Sequence, residues 1–216
     1  MAKHLREGFN IRINRYMNLE KFEKLLSEEC LWFNKLNNFD DLHEGRALVE
    51  WENNSIEIID SWRDRFVVNC WNWDDDENFA LWNIYLGGST AGVCLISTKK
   101  DVISSIIEEE DIEGYFIKYV KYGDTINEFQ SIEVVNTKYE WYSYENEFRF
   151  LKYIREENLD KGIRVKIQPS KLIKGIILSP NMDKSNQDKV YELCKQHEIP
   201  IRVIKKSIIN DKTFLR

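Results

Sequence analysis

Apolar and polar residues alternate along some segments of the chain and recur at helical spacing along others. Residues 11–17 alternate apolar and polar side chains, which predicts a first strand. Asn18 follows as a helix N-cap, and Leu19, Phe22 and Leu26 then recur at helical spacing. The chain is therefore predicted to open with a strand that leads directly into a capped helix.

The same two periodicities predict the remaining elements. Strands are predicted at residues 30–33, 65–71, 92–97, 115–122, 163–167, 172–178 and 199–205. Helices are predicted at residues 78–86, 100–110 and 185–197, with two more inside 44–63 that break near Asn53-Asn54. Residues 132–138 fit either a strand or a helix. Strands outnumber helices, and the helices gather mainly in the N-terminal half, so the prediction is an α+β fold in a single domain, residues 1–216.

One predicted strand, residues 141–150, has an unusual charge pattern. Its sequence is aromatic and apolar, with no Gly or Pro inside. The strand period of two places Glu145, Glu147 and Arg149 on one face. A solvated outer face with an ion pair explains this pattern. An active-site strand that directs its charges into a cleft explains it as well.

Composition narrows the class of protein. With 216 residues, 43% hydrophobic and 13% aromatic, the sequence predicts an ordered globular chain. No apolar run reaches the length of a membrane span and the first residues lack a signal sequence, so a cytoplasmic protein is expected. The net charge of −6 gives no general attraction to nucleic acid. A nucleic-acid partner would need a local basic strip, for which the candidates are Lys99, Lys100, Lys118, Lys121, Lys205, Lys206 and Lys212; scattered solvated lysines explain the same residues.

Most familiar catalytic motifs are missing from the sequence. The three histidines form no HExxH or HxH pattern, and no GxSxG motif occurs. The four cysteines are scattered without CxxC spacing, which predicts reduced thiols. No metal site is predicted. The acidic residues Asp40, Asp41 and Glu44 and the turn at residues 74–77 leave a metal-dependent nuclease as an alternative.

The residues that remain as candidates are acidic, basic and aromatic. Glu145 and Glu147 form an acid pair, and Arg15 lies on the first predicted strand. Trp32, Trp82, Tyr85 and Trp141 fit a hydrophobic core, and as a set they also fit a cleft that stacks a flat ring.

Four segments, in order, resemble the bacterial DUF2971 family. They are Arg15-Tyr16; Leu31-Trp32-Phe33 with residues 38–44; residues 81–85 with 92–96; and Lys138 with Trp141 and residues 144–149. The sequence departs from the family pattern at Asp40, Leu42 and His43, which makes that loop the weakest part of the match.

An arginine on the first strand, a helix, aromatic residues and a late Glu-x-Glu are together similar to the ADP-ribosyltransferase superfamily. The similarity implies two small antiparallel sheets that form a cleft for NAD. It implies that Arg15 holds NAD, Glu147 is catalytic and Glu145 faces the acceptor. The remaining cofactor-binding residues that it implies are Tyr16, Trp32, Phe33, Trp82 and Tyr85. The Ser-Thr-Ser segment of the Arg-Ser-Glu branch has no copy here, and the candidates for its role are Trp32-Phe33-Asn34 and Tyr85.

The resemblance thus implies an NAD-dependent ADP-ribosyltransferase that acts as a toxin or anti-phage effector, with an antitoxin or chaperone as partner. The acceptor of ADP-ribose stays open among protein, nucleic acid and a small molecule. A non-catalytic recognition module on the same fold and the nuclease are the alternatives.

Overall fold

The computed structural model describes residues 10–109, 111–126, 131–155 and 161–209. Its strands are β1 (Arg12–Asn18), β2 (Cys30–Lys35), β3 (Ala47–Glu50), β4 (Ile56–Ile59), β5 (Phe66–Asn72), β6 (Gly92–Thr98), β7 (Ile112–Phe116), β8 (Lys118–Val120), β9 (Thr125–Ile126), β10 (Thr137–Tyr139), β11 (Glu147–Tyr153), β12 (Gly162–Lys166), β13 (Gly175–Leu178) and β14 (Ile204–Lys206). Its α-helices are α1 (Leu19–Glu28), α2 (Phe79–Leu86), α3 (Lys99–Ser105), α4 (Ser131–Val135), α5 (Pro169–Leu172) and α6 (Lys184–Gln196). No helix within these ranges has the length and apolar character needed to cross a membrane.

The chain divides into two compact units. Unit 1 comprises residues 1–31, 72–108 and 166–216, and unit 2 comprises residues 32–71 and 109–165. Each unit contains several paired strands together with helices. The fold is therefore mixed, with helices and more than one sheet, as the sequence predicts.

Unit 1 contains the predicted opening of the chain. Strand β1 runs antiparallel to β6, with Arg12 opposite Thr98, and β6 runs antiparallel to β13. Helix α1 begins directly after β1, where the Asn18 side chain accepts a hydrogen bond of 2.9 Å from the backbone N–H of Lys21. This N-cap satisfies a helix-terminal donor that would otherwise lack a partner. The predicted strand and capped helix are both confirmed.

One hydrophobic cluster of unit 1 lies where α2 packs on β1. Its buried members include Tyr16, Leu81, Trp82, Cys94 and Ile177. The Tyr16 and Trp82 rings meet edge to face, with 4.9 Å between their centroids. The backbone N–H of Asn78, the N-cap of α2, donates to the Tyr16 hydroxyl at 2.8 Å. Tyr16 therefore holds the start of α2 as well as filling the core.

Unit 2 is organised around β11. This strand runs antiparallel to β7, with Arg149 opposite Tyr115, and it also pairs with β5. Its first five residues, 147–151, are all buried. One side packs in a cluster with Leu36, Phe66, Val68, Val135 and Leu151. A strand buried over this length places its polar side chains, Glu147 and Arg149, inside the unit.

The prediction of two helices within residues 44–63 is wrong. This segment forms the antiparallel hairpin β3–β4, in which Ala47 lies opposite Ile59. The turn between the strands contains Asn54 at a positive φ of 61°, which asparagine tolerates better than most residues. Branched side chains at Val49 and in β4 favour extended backbone. These local preferences outweigh the helical spacing of the apolar residues.

Two further details of the predicted fold differ from the structure. Three of the α-helices precede residue 109 and three follow residue 130 within the described ranges, so the helices do not gather in the N-terminal half. The strand pairs β3–β9, β8–β10 and β13–β14 are parallel, so the sheets are not purely antiparallel. Residues 132–138, whose sequence fits either a strand or a helix, form most of α4 and the start of β10.

Candidate active site

The Glu-x-Glu segment of unit 2 does not lie on one strand, contrary to the prediction. Residues Glu140–Glu145 form a 3₁₀ helix that ends at Asn146, which has a φ of 38°. Strand β11 then begins at Glu147. The left-handed residue between the two glutamates reorients the chain, so the period of two does not relate their side chains. Their proximity has a different cause.

Lys138 brings the two carboxylates together. Its Nζ lies 2.6 Å from Oε2 of Glu145 and 3.0 Å from Oε2 of Glu147. A third carboxylate, that of Glu44, has its Oε2 3.3 Å from the same nitrogen. Lys138 lies on the three-residue strand β10, and its side chain is buried. One ammonium group thus collects acidic side chains from three separate segments.

Arg149 contacts two of the same three carboxylates. Its Nε donates to Oε1 of Glu147 at 2.7 Å, and its Nη2 donates to Oε1 of Glu44 at 2.6 Å. Its Nη1 donates to the backbone carbonyl of Val135 at 2.7 Å. The side chain has no exposed surface. Charge-assisted bonds of this kind are stronger than neutral ones and hold a carboxylate in a set orientation.

Five side chains therefore form what we name the charge network: Glu44, Lys138, Glu145, Glu147 and Arg149. It contains three carboxylates and two cations. With all five ionised the network carries one excess negative charge. Buried charge of this kind is costly unless it is matched, so the excess favours a positive group near the network.

The two glutamates of the segment have pKa values shifted in opposite directions. Burial by itself raises the pKa of Glu147, but Arg149 and Lys138 outweigh it and hold that pKa well below its ordinary value. Burial raises the pKa of Glu145, and the negative charge of Glu147 raises it further, although Lys138 acts against both. Glu147 is therefore firmly ionised, whereas Glu145 holds a proton more readily. Two carboxyl groups whose pKa values differ in this way suit two different roles.

These shifts predict opposite effects of pH on stability. The folded-state pKa of Glu147 lies below its ordinary value of 4.5, so its ionised form stabilises the fold above that pH, and this contribution is lost as the pH falls. Glu145 has the opposite sign, because its raised pKa favours the fold at acidic pH and this benefit is lost as the pH rises. We expect urea denaturation to show the largest difference between wild type and Glu147→Gln at neutral pH, and a smaller one below pH 4.5. A difference that does not vary with pH would contradict the assignment.

The predicted NAD-binding residues lie in both units. Arg15, Tyr16, Trp82 and Tyr85 lie in unit 1, on β1 and α2. Arg15 is partly buried, and Tyr16 and Trp82 belong to the core described above. Tyr85 is 39% exposed. Tyr16 and Trp82 thus present almost no surface to a ligand, which agrees with their alternative reading as core residues.

Trp32 and Phe33 lie in unit 2, on β2. Phe33 is fully buried, and Trp32 is 40% exposed. The guanidinium carbon of Arg164 lies 5.8 Å from the centre of the Trp32 ring. Of the aromatic residues that the resemblance implies in NAD binding, Trp32 and Tyr85 thus present substantial surface.

Sequence reasoning missed the part played by Glu44. It appeared there only as a candidate metal ligand, yet its carboxylate contacts Arg149, 105 positions further along the chain. No local period relates residues at that separation. Among the described residues, no group of three or more His, Cys, Asp or Glu side chains is arranged to hold a metal ion.

The proposed basic strip draws on both units. Lys99 and Lys100 lie at the start of α3 in unit 1, and Lys205 and Lys206 lie in β14 of the same unit. Lys118 and Lys121 are exposed residues of unit 2. Lys212 lies outside the described residues.

Comparisons with known proteins found neither a matching family model nor a matching curated protein. Among solved structures, the chain resembles DarT from Thermus sp. 2.9 in complex with NAD+, at 12% identity and a TM-score of 0.43, over 94% of this chain and 96% of that one. It resembles the same protein in complex with ADP-ribosylated single-stranded DNA, at 12% identity and a TM-score of 0.44, over 94% and 95% of the chains. The complex with carba-NAD+ matches at 12% identity and a TM-score of 0.41, over 94% and 97%. At these TM-scores the likeness carries no argument about ligands, so the function proposed below rests on the residues of this chain.

Proposed function

We propose that this protein is an NAD-dependent ADP-ribosyltransferase in which Glu147 stabilises the reacting sugar and Glu145 faces the acceptor. The observation that carries the proposal is the meeting of these two carboxylates on one lysine, Lys138, with their pKa values shifted apart. Membership of the DUF2971 family and an ADP-ribosyltransferase fold are parts of the same proposal, on the strength of the sequence resemblance.

The chemistry of NAD suits a carboxylate that stays ionised. Nicotinamide in NAD is already a cationic leaving group, so its departure needs no strong acid. Positive charge then develops on the ribose, and a fixed negative charge nearby stabilises it. The lowered pKa of Glu147 keeps its negative charge available at any pH near neutrality. The excess negative charge of the network acts in the same direction.

Glu145 suits the second role. Its side chain is 19% exposed, whereas that of Glu147 is 4% exposed. Its raised pKa brings the carboxylate closer to the pH at which a general base is efficient. From this position it would take a proton from the attacking acceptor group. Lys138 contacts both carboxylates and would therefore set the distance between the group that stabilises the sugar and the group that faces the acceptor.

The remaining parts of the proposal rest on the resemblance alone. Arg15 is proposed to pair with a phosphate or ribose hydroxyl of NAD, for which the fork geometry of a guanidinium is suited. Contacts of Tyr16, Trp32, Phe33, Trp82 and Tyr85 with NAD stay predictions. A toxin or anti-phage role and an antitoxin or chaperone partner belong to the same proposal.

Release of nicotinamide from NAD+ tests the proposed function. We expect wild-type protein to release nicotinamide and to transfer label from NAD+ to a component of a cell extract. Glu145→Gln is expected to retain release to water while losing most transfer, about 10²- to 10⁴-fold, because only the acceptor needs this base. The readouts are nicotinamide by chromatography and label by gel.

Glu140→Gln is the matched control, because Glu140 is an exposed residue of the same 3₁₀ helix and lies outside the charge network. It should leave both rates unchanged. No release and no transfer by folded wild-type protein in extracts of several bacteria would overturn the proposal. Equal loss of release and transfer in Glu145→Gln would overturn the division of roles.

A non-catalytic recognition module is the second candidate, and one observation favours it. Both oxygens of Glu147 are already held by protein groups, Oε1 by Arg149 and Oε2 by Lys138. A carboxylate used only to stabilise the fold has this arrangement. The module predicts a folded protein that releases no nicotinamide and binds its partner equally well with Glu147→Gln.

A further inference from the structure

Unit 2 carries a group of aromatic side chains that the proposed reaction does not use. We name His43, Tyr122, Tyr139 and Trp141 the aromatic cluster. Tyr122 is 72% exposed and Trp141 is 51% exposed. Single exposed aromatic residues are common on protein surfaces, but a contiguous exposed group marks an interaction site more often than chance.

The four rings of the cluster contact one another at different angles. Tyr122 and Trp141 are close to parallel, with 26° between their planes and 6.0 Å between their centroids. Tyr139 is tilted against both, at 5.4 Å from Tyr122 and 4.7 Å from Trp141. His43 lies edge to face with Tyr139 at 5.1 Å. Several ring faces and edges thus border one small region of surface.

The charge of unit 2 decides which ligands suit these rings. The described residues of its ranges contain 16 Asp and Glu against 12 Lys and Arg, a net charge of −4. A surface of this sign repels the phosphates of a nucleic acid and attracts cations. The faces of aromatic rings also attract cations, through their quadrupoles. Both effects select the same class of ligand.

One carboxylate beside the cluster, that of Asp41, strengthens this selection. Asp41 is close enough to Tyr139 and Tyr142 to raise the pKa of each, after the larger effect of burial. Within the part of the chain that the structure describes, Oδ2 of Asp41 is buried and accepts no hydrogen bond. A buried carboxylate oxygen without a donor is costly, and a cationic donor from a ligand would relieve that cost.

Two cations of unit 2, Lys138 and Arg46, are already matched by acids. Lys138 contacts the three carboxylates of the charge network, and its Nζ lies 5.0 Å from the centre of the Tyr142 ring. Arg46 lies 3.6 Å from Asp60. The contact between Lys138 and Tyr142 shows that the rings of this region already accept one positive group from the protein itself.

We propose that the aromatic cluster binds an arginine-containing, basic segment of a partner protein, with a guanidinium group placed against Tyr122 and Trp141 and directed toward Asp41. A guanidinium is flat, so it can stack on a ring while its N–H groups donate to a carboxylate. Binding at this surface does not depend on a reaction with NAD, so the proposal stands whether or not the protein is an enzyme.

A labelled peptide of alternating glycine and arginine is the probe, with binding followed by fluorescence anisotropy. We expect Trp141→Leu and Tyr122→Ala each to weaken binding about 3- to 30-fold, the effect of losing one cation–π contact. The same peptide with citrulline in place of arginine keeps the shape without the charge and should bind far more weakly. Tyr153→Ala is the matched control, because Tyr153 is 45% exposed on β11 of the same unit and outside the cluster.

Three results would overturn the proposal. They are equal affinity for the citrulline peptide, unchanged binding of the arginine peptide by both cluster variants, and tighter binding of a single-stranded oligonucleotide than of the arginine peptide. Circular dichroism of each variant establishes that the protein is folded. Because Tyr122 and Trp141 are largely exposed, we expect their substitution to leave the fold intact.

Discussion

Glu147→Gln is expected to lower the rate of nicotinamide release by about 10²- to 10³-fold, the usual effect of removing one group that stabilises charge in a transition state. Glutamine has the shape of glutamate without its charge. It therefore removes the negative group proposed to stabilise the ribose while filling the same space between Arg149 and Lys138. The measurement is nicotinamide release at saturating NAD+, compared between wild type and variant.

Two further variants serve as controls for this result. Glu140→Gln removes an exposed carboxylate of the same segment and should release nicotinamide at the wild-type rate. Glu147→Asp keeps the charge but shortens the side chain by one methylene group, so it should retain more of the charge network and still lose most of the activity. If folded Glu147→Gln released nicotinamide as fast as wild type, the catalytic role of Glu147 would be excluded.

Arg149→Met is expected to lower the free energy of unfolding by about 3–5 kcal/mol, the cost of breaking a buried ion pair from one side. Arg149 has no exposed surface and pairs with both Glu147 and Glu44. Methionine fills much of the same volume, but it leaves two buried carboxylates with Lys138 as their remaining cation. Urea denaturation, with the midpoint and slope fitted together, measures the change.

Arg164→Met is the control, because Arg164 is an exposed arginine of the same unit, and a change below about 1 kcal/mol is expected there. The double variant Arg149→Met with Glu147→Gln tests the pairing directly. Since removing one partner makes the other easier to replace, the double variant should be more stable than the sum of the single changes predicts, by about 0.5–3 kcal/mol. Strict additivity would show that the two side chains do not interact.

The two predictions separate two possible roles of the charge network. If only stability changes, the network is a structural device and the recognition module gains support. If release of nicotinamide is lost in folded Glu147→Gln, the network supports a reaction. The excess negative charge is relevant in both cases, because it favours a positive group nearby.

Elements with a strong local signal were predicted correctly. Strand β1 and helix α1 meet at Asn18, where alternation stops and a capping residue begins a helix, so sequence neighbours carried all the information. Residues 44–63 show where this approach fails. A short hairpin and a short amphipathic helix can have similar apolar content, and here the turn at Asn54 and the pairing of the two strands decide between them.

The sequence by itself identified part of the candidate site: two glutamates separated by one residue, and an arginine after them. It did not determine why the glutamates meet. The period of two is broken at Asn146, and Lys138 joins Glu145 to Glu147 instead.

Only the tertiary structure brought Glu44 to Arg149, gave Glu147 the lower pKa of the two glutamates and exposed Tyr122 beside Trp141. The physical reason is common to all three. Electrostatic energy and solvent exposure depend on distances in space between residues far apart in the chain, and no local pattern of hydrophobic and polar positions records those distances.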